Sequence, residues 1–307
     1  MDIRQLKHLV ALVELGTVHA AAENQSISQP GLSGSIKRLE DQLGTTLFER
    51  EGRGMNVNDK GRDFYRHAKH ILSQLRLAKA DLNGTQSTVN IGIGEIRPKI
   101  LAGLLTNQLL SEFPNLTLNF IESHYEDFYK QLERGEVDIA FVALLAGSAP
   151  TTLTAKNFFH SPWSVFCAAD HPLTNRQGSS ISIDELASFK WIRNASSPSH
   201  TPFLPRINGE RGLENLGINF VDAHSNQLVV ELIMHTKGLA YGPELFLETE
   251  LGEGKVAKLD LQLPRVDATI AGVRHNNTHS AVVDRAFAIV ENYFVQQNSP
   301  SRPLSGI

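Results

Sequence analysis

The chain has 307 residues, of which 41% are hydrophobic and 20% are charged, a composition that fits two or three globular domains. No run approaches the roughly 18 apolar residues of a membrane span, the first residues lack a signal-peptide core, and the single cysteine, Cys167, excludes an intrachain disulfide, so we expect a cytoplasmic protein without a membrane partner. The net charge of −4 excludes a strongly basic protein, yet residues 1–82 carry 12 Lys and Arg against 10 Asp and Glu, a small excess of the sign that nucleic acid attracts.

Three short helices are predicted before residue 45. The first spans residues 2–15, with Asp2 as its N-cap and Gly16 at its end. The second follows Thr17 and is rich in alanine, which permits close packing. The third starts from Ser28, a good N-cap, and its apolar residues share one stripe: Leu32, Ile36, Leu39 and Leu43. The tight spacing of the second and third helices predicts a helix-turn-helix.

A wing and a long helix are predicted next. Residues 47–60 indicate two short strands around a Gly-Arg-Gly turn. From Gly61 a long helix repeats apolar residues at alternating spacings of four and three: Phe64, Ala68, Ile71, Leu75, Ala78 and Leu82. Such a seam is buried against a partner helix, which favours a dimer, and packing onto its own domain is the alternative. The residues after Leu82 indicate a hinge.

Strands and helices alternate after the hinge. Three strands near residues 89–93, 116–121 and 137–145 enclose helices over 98–113 and 126–134, which predicts a βαβαβ unit with a parallel sheet. A second unit follows, with strands near 163–169, 190–193, 218–221 and 238–242, helices near 207–216 and 227–236, last strands near 255–274 and a final helix over 280–297. Two α/β lobes joined by crossing strands leave a cleft, where sheets of this kind bind ligands.

One segment of about 35 residues carries a motif. It contains, in order, Ala21-Ala22, Ser28-Gln29-Pro30, Ser33, Leu39-Glu40, Leu43-Gly44 and Leu47-Phe48-Glu49-Arg50. This order and spacing closely resemble the DNA-binding signature of the LysR-type transcriptional regulators. Weaker similarity continues in Gly135–Ala140, His171-Pro172-Leu173 and Gly238–Pro243, so the resemblance covers nearly the whole chain.

The resemblance implies a multi-domain chain. It has an all-α winged helix-turn-helix domain over residues 1–60, a long linker and dimerisation helix with its hinge over 61–84, and an α/β sensor domain over 85–297. The sensor is expected to be periplasmic-binding-protein-like, with two Rossmann-like lobes. Residues 298–307 are expected to be a disordered tail, because they are rich in Ser, Pro and Gly.

The third helix is the candidate DNA reader. Its apolar stripe points inward, which leaves its polar side free to enter a major groove. Glutamine pairs bidentately with adenine, serine bonds to bases or phosphates, and lysine and arginine contact phosphates. The DNA-binding candidates are therefore Ser28, Gln29, Pro30, Ser33, Gly34, Lys37, Arg50 and Arg53, with Lys60 as a further phosphate contact. Gln25 and Gly34 depart from the family, which usually has a large apolar residue and an arginine there, and this puts base preference in doubt.

The resemblance also implies a small-molecule effector in the cleft. The stretch after the first sensor strand is Gly94, Glu95, Ile96, Arg97, where the family often has a hydroxyl residue at a helix N-terminus. Because Glu95 adds negative charge, we expect a simple carboxylate effector to be disfavoured; solvated loop charges are the alternative. Further candidates, with ordinary loop residues as the alternative, are His124, Tyr125, Ser197, His200, Thr201 and Phe203.

The resemblance implies promoter DNA, an effector, further copies of the chain in a homodimer or homotetramer, and RNA polymerase as partners. An enzyme and a transport-type solute-binding protein are the competing classes. No GxSxG, P-loop, CxxC or HExxH motif occurs, so we expect neither catalysis nor a metal or other cofactor. Cys167 lies in an apolar run, which indicates a buried thiol, with a redox sensor as the alternative.

Overall fold

A computed structural model of the chain describes residues 1–51, 54–82, 87–94, 98–144, 150–176, 181–195, 220–261 and 267–297. Over these residues, every helix is too short or too polar to cross a lipid bilayer. The expected helix near 207–216 and the expected tail at 298–307 lie outside the described residues.

Three helices form the core of the N-terminal domain: α1 (Ile3–Leu15), α2 (Val18–Asn24) and α3 (Gln29–Leu43). Each begins at a side-chain cap, as predicted, because the caps satisfy backbone N–H groups that have no partner in the first helical turn. Asp2 caps α1, Thr17 caps α2 and Ser28 caps α3. The helices bury a common apolar core: Leu6, Leu9, Leu12, Ala21, Ala22, Leu32, Ile36 and Leu39.

The wing follows as strands β1 (Phe48–Glu51) and β2 (Gly54–Val57), which pair antiparallel as predicted. One carboxylate oxygen of Glu40 on α3 accepts hydrogen bonds from the backbone N–H groups of Leu47 and Phe48, at 2.6 and 3.1 Å. This explains why the glutamate of the Leu-Glu pair is needed: it ties the end of α3 to the start of the wing.

The long helix α4 (Asp59–Asp81) begins two residues before the predicted Gly61. The reason is Asn58, whose side chain caps the backbone N–H of Gly61 at 2.8 Å. Gly61 is required here for another reason, since a Cβ atom would lie 2.2 Å from the carbonyl oxygen of Leu47.

The first sensor lobe is the predicted βαβαβ unit. Its elements are β3 (Ser87–Ile93), α5 (Pro98–Glu112), β4 (Leu116–Glu122), α6 (Tyr125–Glu133) and β5 (Ile139–Leu144). Strand β3 lies between β4 and β5 and is parallel to both.

The second lobe and the crossing strands complete the sensor. They are β6 (Leu153–Ala168), α7 (Ile183–Ala187), β7 (Trp191–Asn194), β8 (Phe220–Ala223), α8 (Asn226–His235), β9 (Leu239–Pro243), α9 (Glu248–Gly252), β10 (Val256–Leu259), β11 (Asp267–His275) and α10 (Ala281–Gln297). Strand β6 starts ten residues before the predicted strand near 163, because its first half pairs with β11 in the first lobe. Among the described residues, nine strands form one sheet in the order β4-β3-β5-β11-β6-β9-β7-β8, with β10 also paired to β6.

The two lobes meet on β6. Its ladder with β11 ends at the pair Pro162 and Asp267, and its ladder with β9 begins at the pair Trp163 and Pro243. Because β5 and β3 are parallel and β11 runs against β5, the carboxyl ends of β3 and β5 lie on this side of the first lobe. The carboxyl end of β9 lies there too, so the carboxyl ends of strands from both lobes face the expected cleft.

Candidate nucleic-acid interface and ligand cleft

The polar side of α3 is exposed. Gln29, Ser33 and Lys37 follow one another at intervals of four residues, which places them on one face of the helix. Pro30 is exposed beside them, whereas the opposite face is buried in the core of the domain. We call Gln29, Pro30, Ser33 and Lys37 the α3 stripe. It carries donors and acceptors on the solvent-exposed face of a helix, an arrangement that fits a major groove.

A hydrogen bond joins the α3 stripe to α2. The amide Nε2 of Gln29 lies 3.1 Å from the ring Nδ1 of His19, and both side chains are exposed. Nothing in the sequence motif points to His19, because its partner is ten residues away and the contact exists only once α2 and α3 have packed.

The base of α3 is held by a buried polar contact. The hydroxyl of Ser35 is buried and lies 2.7 Å from Nδ1 of His8 on α1. Burial lowers the pKa of His8 below its usual value, outweighing the opposing charge of Asp2. The imidazole is therefore neutral near pH 7, and it fixes α3 on α1 without adding a buried charge.

The remaining DNA-binding candidates have mixed outcomes. Ser28 is exposed and its hydroxyl accepts from the backbone N–H of Gly31 at 3.2 Å. Gly34 is half-buried within α3. Arg50 lies in β1, opposite Met55, and its side chain lies outside the described atoms, as does all of Arg53. Lys60 is exposed at the start of α4, and its Nζ donates to the hydroxyl of Thr45 at 3.2 Å.

Different parts of the chain cover the helix α4 along its length. At its start Phe64 and Ala68 pack on the core of the N-terminal domain, and near its end Leu77 and Ala80 are buried in the core of the first sensor lobe. Beyond Ala68 the seam leaves Ile71 and Leu82 43% and 75% exposed, with Ala78 also exposed. The predicted seam is therefore divided: its first two residues pack on their own chain and its later part is open.

Asp138 ties α4 to the sensor sheet. Its buried carboxylate accepts two hydrogen bonds from the guanidinium of Arg76, at 2.6 and 2.7 Å, and one from the hydroxyl of Ser73 at 2.8 Å. A fourth comes from the backbone N–H of Asn90 on β3, at 2.8 Å. A buried charge is stable only when it is paired and hydrogen-bonded in this way.

Gly135 makes the same junction possible. Its φ of +64° is in the left-handed region, and a Cβ atom there would lie 2.8 Å from Cβ of Ser73 on α4. The motif Gly135–Ala140 is thus explained by contact with α4: the glycine lets the loop approach the helix, and Asp138 binds it.

A second junction joins all three parts of the chain. The Nζ of Lys69 on α4 lies 2.9 Å from a carboxylate oxygen of Glu14 on α1 and 2.9 Å from one of Glu136 next to the sensor sheet. Burial opposes the charge of Lys69, but the hydrogen bonds to Glu14 and Glu136 outweigh it and raise the pKa of the amine. The side chain of Lys69 is only 17% exposed, so solvent screens this pair of contacts less than ordinary surface ion pairs.

The cleft candidates are described only in part. Gly94 is buried at the end of β3, and its N–H donates to the carbonyl of Phe141 at 2.7 Å. His124 is the N-cap residue of α6, and Tyr125 is the first residue of that helix, with its ring packed edge-on to Tyr129. Seven further candidates lie outside the described residues: Glu95, Ile96, Arg97, Ser197, His200, Thr201 and Phe203.

Cys167 lies in β6 and is buried. Burial, reinforced by the charge of Asp170, raises the pKa of its thiol to about 12. A thiol that is protonated and shielded reacts slowly, which favours the buried-thiol interpretation over a redox sensor. In the part of the chain that the structure describes, no three His, Cys, Asp or Glu side chains are arranged to hold a metal ion.

Two family models match the chain. A bacterial regulatory helix-turn-helix protein model, lysR family, matches residues 3–62, and a LysR substrate binding domain model matches residues 82–294. The two matches leave residues 63–81, most of α4, between them.

Curated relatives are similar to parts of the chain. An uncharacterized HTH-type transcriptional regulator of Bacillus subtilis, YybE, is 29% identical over 199 residues, which cover 62% of this chain and 66% of that protein. A hydrogen peroxide-inducible genes activator of Pectobacterium carotovorum subsp. carotovorum is 30% identical over 197 residues, which cover 62% of this chain and 64% of that protein. The chain thus matches slightly less than two thirds of the length of either relative.

A solved structure shares the fold over nearly the whole length. The crystal structure of ArgP from Mycobacterium tuberculosis superposes with a TM-score of 0.72 and covers 96% of this chain and 97% of that one. The two sequences are 16% identical, so the likeness is one of architecture.

Proposed function

The chain belongs to the LysR family of bacterial transcriptional regulators, and from that premise we propose that it binds promoter DNA in a sequence-specific manner under the control of a small molecule. The observation that carries this proposal is the α3 stripe. An exposed row of amide, hydroxyl and ammonium groups is backed by a buried apolar face, which holds it rigidly for readout in a groove.

We assign base contacts to Gln29 and Ser33 and phosphate contacts to Lys37 and the wing arginines, Arg50 and Arg53. The first turn of α3 begins after Ser28, and the positive end of the helix dipole there favours a phosphate. The domain that binds DNA is proposed to span residues 1–60, with the linker helix and hinge over 61–84 and the sensor domain over 85–297.

The proposed oligomer is a dimer through the open face of α4. Ile71, Ala78 and Leu82 share one side of the helix and remain exposed in the single chain. Two such stripes pack together in the manner of a coiled coil and bring two α3 helices to successive major-groove half-sites. Pairing of sensor domains into a tetramer and contact with RNA polymerase are further parts of the proposal, which places the protein in the cytoplasm with its promoter.

The effector is proposed to bind in the cleft between the lobes, at the stretch from Gly94 to Arg97 and at His124, Tyr125 and the loop from Ser197 to Phe203. Closure of the cleft moves the first lobe, and Asp138 carries that movement to α4 through Arg76. Lys69 extends the connection to α1 of the DNA-binding domain. An effector shifts the equilibrium only by its difference in affinity for the two arrangements.

A binding titration on the full chain tests the proposal. Duplexes selected from a random library are titrated with the wild type at two salt concentrations, and affinity falls steeply as salt rises because counterions are released from the phosphates. Gln29→Ala with Ser33→Ala abolishes base preference, since the remaining contacts are to the backbone.

Lys37→Ala is the matched control on the same stripe. It weakens binding to all duplexes alike and lowers the salt dependence by about one counterion. A wild type that ignores every duplex at low salt, or a double variant with unchanged base preference, overturns the proposal.

A further inference from the structure

His19 is the residue outside the sequence motif that touches the proposed base reader. Its Nδ1 lies 3.1 Å from Nε2 of Gln29, across the junction of α2 and α3. We propose that His19 is a positioning residue that sets which end of the Gln29 amide faces the DNA, and thereby determines base preference. This inference rests on the proposed function, in which Gln29 reads a base.

The chemistry of the two groups fixes their roles. An amide nitrogen only donates, so Nδ1 of the neutral imidazole accepts and the ring proton sits on Nε2. If the Gln29 amide turned over, its oxygen would face Nδ1, and the hydrogen bond would be kept only if the ring proton moved from Nε2 to Nδ1. With the proton on Nε2, the contact therefore selects one of the two amide orientations.

The selected orientation suits an adenine. Bidentate pairing with adenine needs one acceptor and one N–H donor side by side. The amide nitrogen of Gln29 carries two hydrogens, of which His19 takes one, so the second hydrogen and Oε1 remain for the base. The turned amide presents the same groups in the reverse order and loses this match.

The position of Gln29 makes such support necessary. It is the first residue of α3 and is exposed, so without a partner its side chain would be free to adopt several rotamers. Ordering a free glutamine costs entropy, and a contact formed within the protein reduces that cost. His19 stands in the first turn of α2, whose alanines Ala21 and Ala22 are buried against the domain core, so the support itself is rigid.

The test is a base-preference measurement on the full chain. Duplexes that vary at each base pair of a half-site are competed against the selected site for wild type, Gln29→Ala and His19→Ala. Gln29→Ala identifies the base pair that Gln29 reads. His19→Ala weakens discrimination at that same base pair about 2- to 10-fold, the value of one hydrogen bond, and leaves the salt dependence unchanged.

Three further variants separate positioning from a simple loss of contact. His19→Asn keeps an acceptor near the place of Nδ1 and retains most of the discrimination. In the Gln29→Ala background His19→Ala has no additional effect on base preference. Glu23→Ala, an exposed change on the same helix, leaves base preference as in the wild type.

The outcomes distinguish the proposed role of Gln29 from that of His19. If Gln29→Ala does not change base preference, the proposed role of Gln29 fails. If Gln29→Ala changes it but His19→Ala does not, or if His19→Ala weakens all duplexes equally, the positioning role of His19 is overturned. His19 is exposed, so we expect its substitution to leave the thermal unfolding of the protein unchanged. Unchanged unfolding then shows that a change in base preference does not come from a loss of folding.

Discussion

The contacts of single residues in this protein explain why those residues belong to its sequence motifs. Glu40 belongs to the Leu-Glu pair of the DNA-binding motif, yet its half-buried carboxylate accepts hydrogen bonds from the backbone of Leu47 and Phe48. Gly135 and Asp138 belong to a motif of the sensor, and both serve the contact with α4. These three motif residues thus connect secondary-structure elements to one another.

Gly34 offers a direct test at the residue scale. It lies inside α3, and in the described part of the chain an added Cβ atom would approach Arg38 to 3.6 Å, an ordinary contact. Because glycine within a helix costs about 1 kcal/mol relative to alanine, Gly34→Ala raises the free energy of unfolding of the N-terminal domain by up to about 1 kcal/mol. Urea unfolding followed by circular dichroism measures the gain.

Gly31→Ala is the control, since its Cβ atom would lie 3.1 Å from the Ser28 hydroxyl that caps α3. This crowding offsets the gain in helix propensity, so Gly31→Ala is stabilised less than Gly34→Ala. Equal effects of the two substitutions contradict the account.

His70 supplies a pH-dependent test. Within the described residues, neither of its buried ring nitrogens has a hydrogen-bond partner, and its ring lies 4.1 Å from that of His275. Burial, then repulsion by His275 and His67, lowers the pKa of His70 to about 4. A histidine whose pKa is lower in the folded state contributes full stability above its unfolded pKa of about 6.5, and this is lost as pH falls toward 4.

His70→Leu therefore flattens the acid side of the stability profile. Between pH 7 and pH 5 the wild type loses more free energy of unfolding than the variant, by on the order of 1 to 2 kcal/mol. The charged residues near the His70–His275 contact are the same in both proteins, so their contributions to the pH dependence cancel when the two profiles are subtracted. These residues are Lys69, Glu133 and Glu136. If the free energy of unfolding depends on pH in the same way in the wild type and the variant, His70 is not the cause of the acid destabilisation.

At the scale of elements, α4 shows what periodicity predicts and what it leaves open. The caps and apolar faces of α1, α2 and α3 were predictable because each is set by residues within one turn or one stripe. The seam of α4 was predicted as one dimer contact, yet Leu77 and Ala80, outside the seam, are buried in the sensor core. Periodicity locates an apolar face, but contacts between distant segments decide what covers it.

Other parts of the site depended on such distant contacts as well. The first half of β6 has polar, weakly alternating residues and became recognisable as a strand only through its pairing with β11. His19 and Lys69 likewise acquire their roles from partners 10 to 67 residues away.

The exposed face of α4 gives a prediction at this scale. Ile71→Lys with Leu82→Asp places charges in the proposed dimer contact, where burial of an unpaired charge is costly. We expect the full chain to shift from dimer or tetramer toward monomer by analytical ultracentrifugation. Arg66→Ala, on the opposite side of the same helix in an exposed ion pair, leaves the assembly unchanged. A variant that sediments like the wild type contradicts the α4 dimer.

At the scale of the whole molecule, the sensor and the DNA-binding domain share one helix. Asp138→Leu leaves the half-buried Arg76 without its carboxylate partner, and we expect a loss of about 3 kcal/mol in the free energy of unfolding of the sensor. Arg76→Leu with Asp138→Leu loses less than the sum of the two single changes, because no unpaired charge remains. Urea unfolding of the four proteins measures this cycle, and additive losses would show that the pair is not coupled.

The central claim is that the α3 stripe enters the DNA groove, and Ser33 provides the most direct measurement. Because Cys167 is buried, a cysteine at position 33 can be labelled selectively with an iron chelate that cuts nearby DNA. On a selected duplex, Ser33→Cys is predicted to cut within the half-sites, while Asp170→Cys, on the exposed sensor surface, does not. Cutting that is absent from position 33, or equally strong from position 170, would contradict the account.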